Sequence, residues 1–190
     1  MMSQDRPTFS SRLVIPASWE PLDRPPTQAA LDALEHANAG VLGFLLQRVD
    51  LATAPRPGDE GLTEALAPLR AKLDLIIEML SGLSYRQVVL PDPQDLELAL
   101  DHIIWTAPSP LAAGQWLKTR LYFSDAYREP VTLYAEVAGS AADGEGGWRV
   151  HGALPEMSES VGESFARLIF FEQRRRLAQR PARVAVGSRQ

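Results

Sequence analysis

Residues 62–83 read LTEALAPLRAKLDLIIEMLSGL, with apolar residues spaced alternately by four and three positions. These positions are Leu62, Leu66, Leu69, Leu73, Ile76, Leu80 and Leu83. On a helix this spacing forms one narrow apolar stripe, which is typical of a helix that packs on other helices along a heptad repeat. Ile77 widens the stripe near its C-terminal end. We call residues 62–83 the heptad segment and predict that it forms an oligomeric coiled coil.

Leucine occupies every a position of this repeat. Two-stranded coiled coils prefer β-branched residues at a, whereas leucine at a with isoleucine at d, as at Ile76, favours three or four helices. The alternative is an ordinary amphipathic helix packed within its own domain, because the repeat is short. Pro68 removes a helical hydrogen bond from any interior position, so we expect the regular helix to begin close to it.

The composition excludes several classes of protein. The chain has 190 residues, of which 45% are hydrophobic and 23% charged, as in globular proteins. The net charge of −5 argues against a general binder of nucleic acid or anionic membranes, since both need a basic face. The absence of cysteine excludes disulfides, thiolate catalysis and cysteine-bound metal.

The length of the apolar runs bears on the compartment. No run reaches about 18 residues, so we expect no membrane insertion. Residues 1–26 carry charges and prolines in place of the apolar centre of a signal peptide, so secretion is not expected. These features, with the lack of cysteine, predict a cytoplasmic protein.

The N-terminal third is predicted to be an extended segment, residues 1–26, followed by a helix. Pro16, Pro21, Pro25 and Pro26 block helix formation in the extended segment, which lies along a surface or is disordered at its start. A helix from Thr27 to Asp50 follows, with Thr27 as its N-cap. Its apolar face comprises Leu31, Leu34, Val41, Leu42, Leu45 and Val49.

Asn38 falls on that apolar face. It either sets the register of a helix seam or reaches water at the edge of the seam. Residues 52–61 (ATAPRPGDEG) are rich in helix-breaking residues. We therefore expect this helix and the heptad segment to fold as a helical hairpin within residues 27–83.

After Gly82 the period of the apolar residues changes to two. Alternation occurs in residues 96–104, 116–124, 131–137 and 148–154, separated by the turn sequences PSPLAAG, DAYREP and SAADGEGG. Such runs predict antiparallel strands in a small barrel or sandwich. The expected face of the first run comprises Leu96, Leu98, Leu100 and Ile104, and residues 144–147 are expected to form a hairpin loop.

A last helix is predicted to begin near Ser160, which has capping-box spacing to Glu163. One side of this helix contains Val161, Phe165, Leu168, Ile169 and either Glu172 or Arg176. The residues after Pro181 are expected to form a loose tail.

The order of these parts resembles a PilZ domain. The similarity lies in about six strands with a Leu-Xaa-Xaa-Gly turn at residues 111–114, closed by the helix RLIFFEQRRRLA at residues 167–178. The added heptad segment is similar to the atypical, tetramer-forming branch of that family. This resemblance implies an α+β fold, in which a small antiparallel barrel with a closing helix spans residues 84–180. Residues 27–83 would be the helical oligomerisation region and residues 181–190 the tail.

In that family the barrel is a cyclic di-GMP receptor or a degenerate relative that acts through protein contacts. A typical receptor has Arg-xxx-Arg before a strand and Asp/Asn-x-Ser-x-x-Gly in the barrel, so that guanidinium groups grip the phosphates. Here Arg86 is followed by Leu90 instead of a second arginine, and Asp95 is followed by Glu97 and Leu100 in place of Ser and Gly. We therefore expect that standard cyclic di-GMP binding is lost.

The alternative is a receptor with a displaced site. The literal Arg-xxx-Arg of the chain is Arg176 with Arg180, after the barrel, and Arg86 could contribute. Basic helix ends often contain this pattern by chance.

The functional expectation is a bacterial, non-enzymatic scaffold or adaptor in cyclic di-GMP signalling. The resemblance implies motility, type IV pilus or virulence pathways, with signalling or pilus proteins as partners. We expect no catalytic residues, no cofactor and no metal, because His36, His102 and His151 are the only histidines and metal needs three or four converging ligands. An enzyme with an unrecognised site is a third, less favoured class.

Overall fold

The computed structural model describes residues 10–52, 68, 72, 76, 89–125 and 127–179. In these ranges an antiparallel barrel is flanked by two long helices. The strands are β1 (Ser11–Pro21), β2 (Pro93–Leu98), β3 (His102–Ala107), β4 (Trp116–Leu121), β5 (Val131–Ala142) and β6 (Trp148–Ala153). The helices are α1 (Gln28–Ala52) and α2 (Glu159–Gln179). The predicted α+β class and small barrel are confirmed.

Strand β1 closes the barrel, whose strand order is β1-β2-β3-β6-β5-β4. Residues 11–16 pair with β2, and residues 17–21 pair with β4. Pro16 lies where β1 changes partner, and its carbonyl accepts a hydrogen bond from the Tyr122 amide at 3.0 Å. Because proline has no N–H to donate, it is tolerated at such a break in a ladder.

This strand corrects the predicted extent of the barrel. The extended conformation expected for residues 1–26 is confirmed over residues 11–21, but these residues form a barrel strand and not a surface strap. Leu13, Ile15 and Ala17 are buried, whereas Arg12 and Val14 are exposed. The barrel therefore begins at Ser11, whereas the sequence placed its start at residue 84.

The barrel interior is filled by alternate residues of the strands. Leu13, Leu96, Ile103, Leu117, Val137 and Val150 are fully buried. Trp105 is 3% exposed and its ring lies 5.4 Å from that of Trp19. A Cβ atom on Gly152 would lie 3.2 Å from both the Trp105 ring and the Ala135 methyl. The glycine thus makes room for the indole, and Trp105 packs inside the barrel.

The first alternating run is a hairpin and not one strand. The Ala99 amide donates to the His102 carbonyl at 2.9 Å, so Leu100 and Asp101 form a two-residue turn. The turn inverts the alternation that follows it. Ile103 is therefore buried, while Leu100 and Ile104 are not. The expectation that Leu100 and Ile104 share a face with Leu96 was wrong.

Helix α2 begins one residue earlier than expected. It starts at Glu159, and the Gly162 amide donates to the Ser158 carbonyl at 2.8 Å. Ser160 and Glu163 lie inside the helix, so the proposed capping box was wrong. The predicted apolar face is confirmed, because its members and Glu172 are buried.

Helix α1 starts as expected, since the Thr27 hydroxyl accepts a hydrogen bond from the Ala30 amide at 3.3 Å. Asn38 on this helix is 5% exposed. Its side-chain amide donates to the Thr132 carbonyl at 2.7 Å and accepts from the Thr132 amide at 3.0 Å. Asn38 therefore neither reaches water nor sits in a helix seam. It extends the hydrogen bonding of β5 and fixes α1 to the barrel.

The heptad segment lies largely outside the described residues. Pro68, Lys72 and Ile76 are described, each in helical conformation and exposed, with Ile76 at 51%. The other predicted oligomerisation residues lie outside the described part of the chain, namely Leu62, Leu66, Leu69, Leu73, Ile77, Leu80 and Leu83. The coiled coil and the helical hairpin stay predictions.

We predict that Asn38→Ala lowers the free energy of unfolding by about 2–4 kcal/mol, because both backbone groups of Thr132 lose their partner in a buried position. Urea unfolding followed by circular dichroism measures the change. Gln47→Ala, at an exposed position of the same helix, is the control and should cost less than about 0.5 kcal/mol. Equal effects of the two changes would contradict the anchoring role of Asn38.

Candidate functional site

The residues that align with the receptor motif lie on the outer face of the barrel. On β2, Leu96 and Leu98 point inward with 1% and 0% exposure. Asp95 and Glu97 alternate with them and therefore point outward. Leu100 lies in the β2–β3 turn and is 38% exposed. The three positions thus border a surface formed by β1, β2, β3 and β6.

Asp95 is paired with Arg12 of the neighbouring strand β1. The Arg12 Nε donates to Oδ1 at 2.8 Å and the Nη2 donates to Oδ2 at 2.6 Å, which is the bidentate geometry. The hydrogen bonds from Arg12 hold the pKa of Asp95 below its usual value. Since the side chains are 80% and 47% exposed, the pair adds little stability. Its main effect is to neutralise the carboxylate that a receptor would use.

Glu97 is held from two sides. The Arg149 Nη2 on β6 reaches across β3 and donates to Glu97 Oε2 at 3.0 Å, and the Ser10 hydroxyl donates to Oε1 at 3.1 Å. Arg12 and Arg149 thus each pair with a carboxylate of β2. Both guanidinium groups are thus engaged by a carboxylate, while their side chains stay 80% and 61% exposed.

A cavity of about 310 Å³ lies over these pairs. The β5–β6 hairpin loop adds Asp143 and Glu145 to its lining, so four carboxylates surround two guanidinium groups. Asp143 shapes this loop, because its Oδ1 accepts hydrogen bonds from the amides of Glu145 and Gly147 at 2.9 and 2.8 Å. The balance of charge in this cavity disfavours an anionic ligand.

The arginines of the alternative site are only partly described. Arg176, near the end of α2, is half-buried, and its guanidinium donates to the Val14 carbonyl of β1. Gln173 joins the same contact by accepting from the Ser11 hydroxyl at 3.2 Å. Arg176 therefore fastens α2 to the barrel. Arg86 and Arg180 lie outside the described residues, so their place in a site stays a prediction.

A second cavity, of about 580 Å³, lies where the C-terminal parts of α1 and α2 meet. Its lining includes Arg48, Phe123, Glu172 and Arg175. Glu172 is 4% exposed, and its Oε2 lies 3.2 Å from the Arg175 Nη2 without hydrogen-bond geometry. Burial raises the pKa of Glu172, and the charges of Arg175 and Arg176 oppose this shift only in part.

We predict that Glu172→Gln stabilises the protein near pH 7.5, with a rise in melting temperature of about 2–4 °C. When folding raises the pKa of a carboxyl, the buried group costs no folding stability below its unfolded pKa, where it is protonated in both states. The folded protein loses stability as pH rises through the folded pKa, because the buried group must then ionise. The difference between variant and wild type should therefore shrink as pH falls toward the ordinary glutamate value of 4.5.

Differential scanning fluorimetry from pH 4.5 to 8 measures this dependence. Glu163→Gln, at an exposed position of the same helix, should leave the melting temperature unchanged throughout. A Glu172→Gln variant less stable than wild type at pH 7.5 would show that the ion pair with Arg175 outweighs the cost of burial.

The histidines do not converge on a centre. His102 Nδ1 lies 2.7 Å from Asp101 Oδ1, and the rings of His102 and His151 are 5.4 Å apart on the outer face of β3 and β6. His36 is exposed on α1. In the described ranges no three or more acidic or histidine side chains are grouped to hold a metal ion.

The described part of the chain also contains no helix that is long and apolar enough to cross a membrane.

Several features of the site were not foreseen. The roles of Arg12 and Arg149 were missed because each pairs with a residue far away in the sequence. Arg12 pairs with Asp95, and Arg149 pairs with Glu97. The available signal for β1, and so for Arg12, was an apolar residue at every second position (Leu13, Ile15 and Ala17), but the apolar Val14 obscured it. The burial of Glu172 did carry a signal, since its position falls on the apolar side of α2.

The fold is similar to that of a solved PilZ domain. No family model matches the chain, and no curated protein matches it. The solved structure is that of a pathogenic protein from Xanthomonas campestris, described as a new tetrameric PilZ domain self-assembled via an unusual helical bundle. The two chains share 22% identity with a TM-score of 0.73, and the match covers 90% of this chain and 92% of the other. The chain therefore has the fold of a PilZ domain, as the order of its parts had predicted.

Proposed function

We propose that this protein is a non-enzymatic PilZ-like scaffold or adaptor in bacterial cyclic di-GMP signalling. It acts in the cytoplasm, in the control of motility, pili or virulence. It assembles as a homotetramer through the heptad segment and does not bind cyclic di-GMP itself. The main support for the proposal is the similarity in fold to the tetrameric PilZ domain from Xanthomonas campestris, which covers 90% of this chain and 92% of that one.

Two observations support the tetramer. The PilZ-fold protein from Xanthomonas campestris self-assembles as a tetramer via a helical bundle, and the match includes nearly the whole of this chain. The heptad segment has the leucine-rich a positions that favour more than two helices. Ile76, a d position of that repeat, is helical and half exposed in the single chain, as an unpaired seam residue would be.

The loss of cyclic di-GMP binding is supported by the outer face of β2. A receptor needs guanidinium groups free to meet phosphates. Here Arg12 and Arg149 are paired with Asp95 and Glu97, and two further carboxylates face the same cavity. A dinucleotide would have to break these pairs and then lie among four carboxylates.

The mechanism that follows is multivalent display. A helical bundle would hold four barrels at fixed spacing, and partners that are themselves clustered would bind several barrels at once. Such linkage raises the apparent affinity without any new contact.

The assembly gives the first test. Light scattering of the intact chain should yield about four times the chain mass of 20.9 kDa. Leu73→Asp should dissociate the assembly, because a charge buried in an apolar seam costs several kcal/mol. Lys72→Ser, at an exposed helical position next to it, should leave the mass unchanged. A monomeric wild type would contradict the proposal.

The ligand gives the second test. Titration calorimetry of the intact protein with cyclic di-GMP should show no saturable heat. The alternative function is a cyclic di-GMP receptor that uses Arg86, Arg176 or Arg180. Saturable heat that disappears in an Arg176→Ala/Arg180→Ala variant, with a melting temperature that shows the variant is folded, would establish that alternative and overturn the adaptor proposal.

A further inference from the structure

An open groove lies between the first turns of α1, the start of β5 and the connection from β6 to α2. Its volume is about 630 Å³, which falls in the range of ligand-binding sites. Its apolar lining consists of Leu31, Leu34, Leu133, Leu154, Met157 and Val161. The groove is separate from the charged outer face of β2 and from the cavity at Glu172.

The groove exists because the apolar face of α1 is only partly covered. Val41, Leu42 and Leu45 on this face are buried, whereas Leu31 and Leu34 are only partly buried. The change occurs at Asn38, whose two hydrogen bonds to Thr132 fix the helix to β5. On the N-terminal side of this anchor, the described residues cover the apolar stripe only in part.

Acidic residues surround this apolar floor. They are Asp32 and Glu35 of α1 and Glu156 and Glu159 at the start of α2. Glu35 has a structural role, because its Oε1 accepts a hydrogen bond from the Ser158 amide at 2.5 Å. Asp32, Glu156 and Glu159 are exposed, and none of the described residues lining the groove is basic. The described rim therefore carries a net negative charge.

We propose that this groove binds a segment of a partner protein whose apolar side chains are flanked by lysine or arginine. The apolar floor accepts the anchoring side chains, and the carboxylates select for basic flanks. A second copy of this protein, docked through the same face, would oppose carboxylate to carboxylate and is disfavoured. The inference rests on the adaptor role proposed above for the existence of a partner, and it adds the chemistry of that partner.

Met157 offers a direct probe of the groove. The chain has four methionines, and Met157 lines the groove in the described part of the chain. The intact protein is labelled with ¹³C-methyl methionine, and the Met157 signal is assigned with Met157→Leu. The probe is a 14-residue helical peptide of leucine and lysine with leucines spaced by three and four, and the control peptide has glutamate in place of lysine.

We expect the Leu/Lys peptide to shift the Met157 methyl signal saturably and the Leu/Glu peptide to leave it unmoved. Asp32→Asn/Glu159→Gln should weaken binding by about tenfold, as expected for two rim charges. Asp92→Asn/Glu145→Gln removes the same charge from exposed positions elsewhere and should not change the affinity. Melting temperatures of the variants establish that each is folded.

Three results would overturn the inference. They are a Met157 signal that no peptide moves, equal effects of the two peptides, and equal weakening by the two double variants. A shift that depends on protein concentration without peptide would identify a second copy as the occupant and would also overturn it. A monomer that binds the Leu/Lys peptide would contradict the tetramer alone, whereas a tetramer that does not bind it would contradict the groove alone.

Discussion

Strand β1 is the element on which the closed barrel depends, because it pairs with β2 along its first half and with β4 along its second. β1 ends at Pro21 and β2, its neighbour in the barrel, begins at Pro93. Residues 22–92 therefore form an insertion between β1 and β2, which are hydrogen-bonded to each other. The barrel fixes both ends of this insertion, which does not interrupt the pairing of the remaining strands. The cost is the entropy of closing a long loop before β1 and β2 can pair, which grows only slowly with loop length.

The insertion is joined to the barrel at specific points. Asn38 extends the hydrogen bonding of β5, and the buried stripe of α1 packs against α2. Helix α2 is fixed in turn to β1 by Gln173 and Arg176. Helix α1 is thus held by β5 and α2, and α2 is held by α1 and β1. Within the described residues, the outer face of β2 and β3 and the N-terminal part of α1 take no part in these contacts.

Alternation along single strands was enough to predict antiparallel strands in a small barrel or sandwich, because inward residues must be apolar and outward ones need not be. The prediction failed where two segments had to be considered together. β1 was missed because Val14 is apolar yet exposed, so residues 13–15 form a continuous apolar run with no alternation. The turn at Leu100 and Asp101 was missed because apolar residues lie on both sides of it.

The contents of the candidate sites were less predictable for the same reason. The motif substitutions at Glu97 and Leu100 were visible in the sequence, but the ion pairs with Arg12 and Arg149 depend on strand order and register. Asn38 was recognised as an exception on an apolar face, and its partner Thr132 lies 94 residues away. The groove at Met157 arises from two helices and a strand, and no single segment indicates it.

Hydrogen exchange of the intact protein tests the role of β1 most directly. Exchange is followed by mass spectrometry of peptides covering residues 11–21 and, for comparison, residues 131–142 of β5. If β1 closes the barrel, its slowest amides exchange within about tenfold of those of β5, because both open only by global unfolding. If residues 11–21 lie loosely on the surface, they exchange orders of magnitude faster than β5, and the account of a barrel closed around an insertion is wrong.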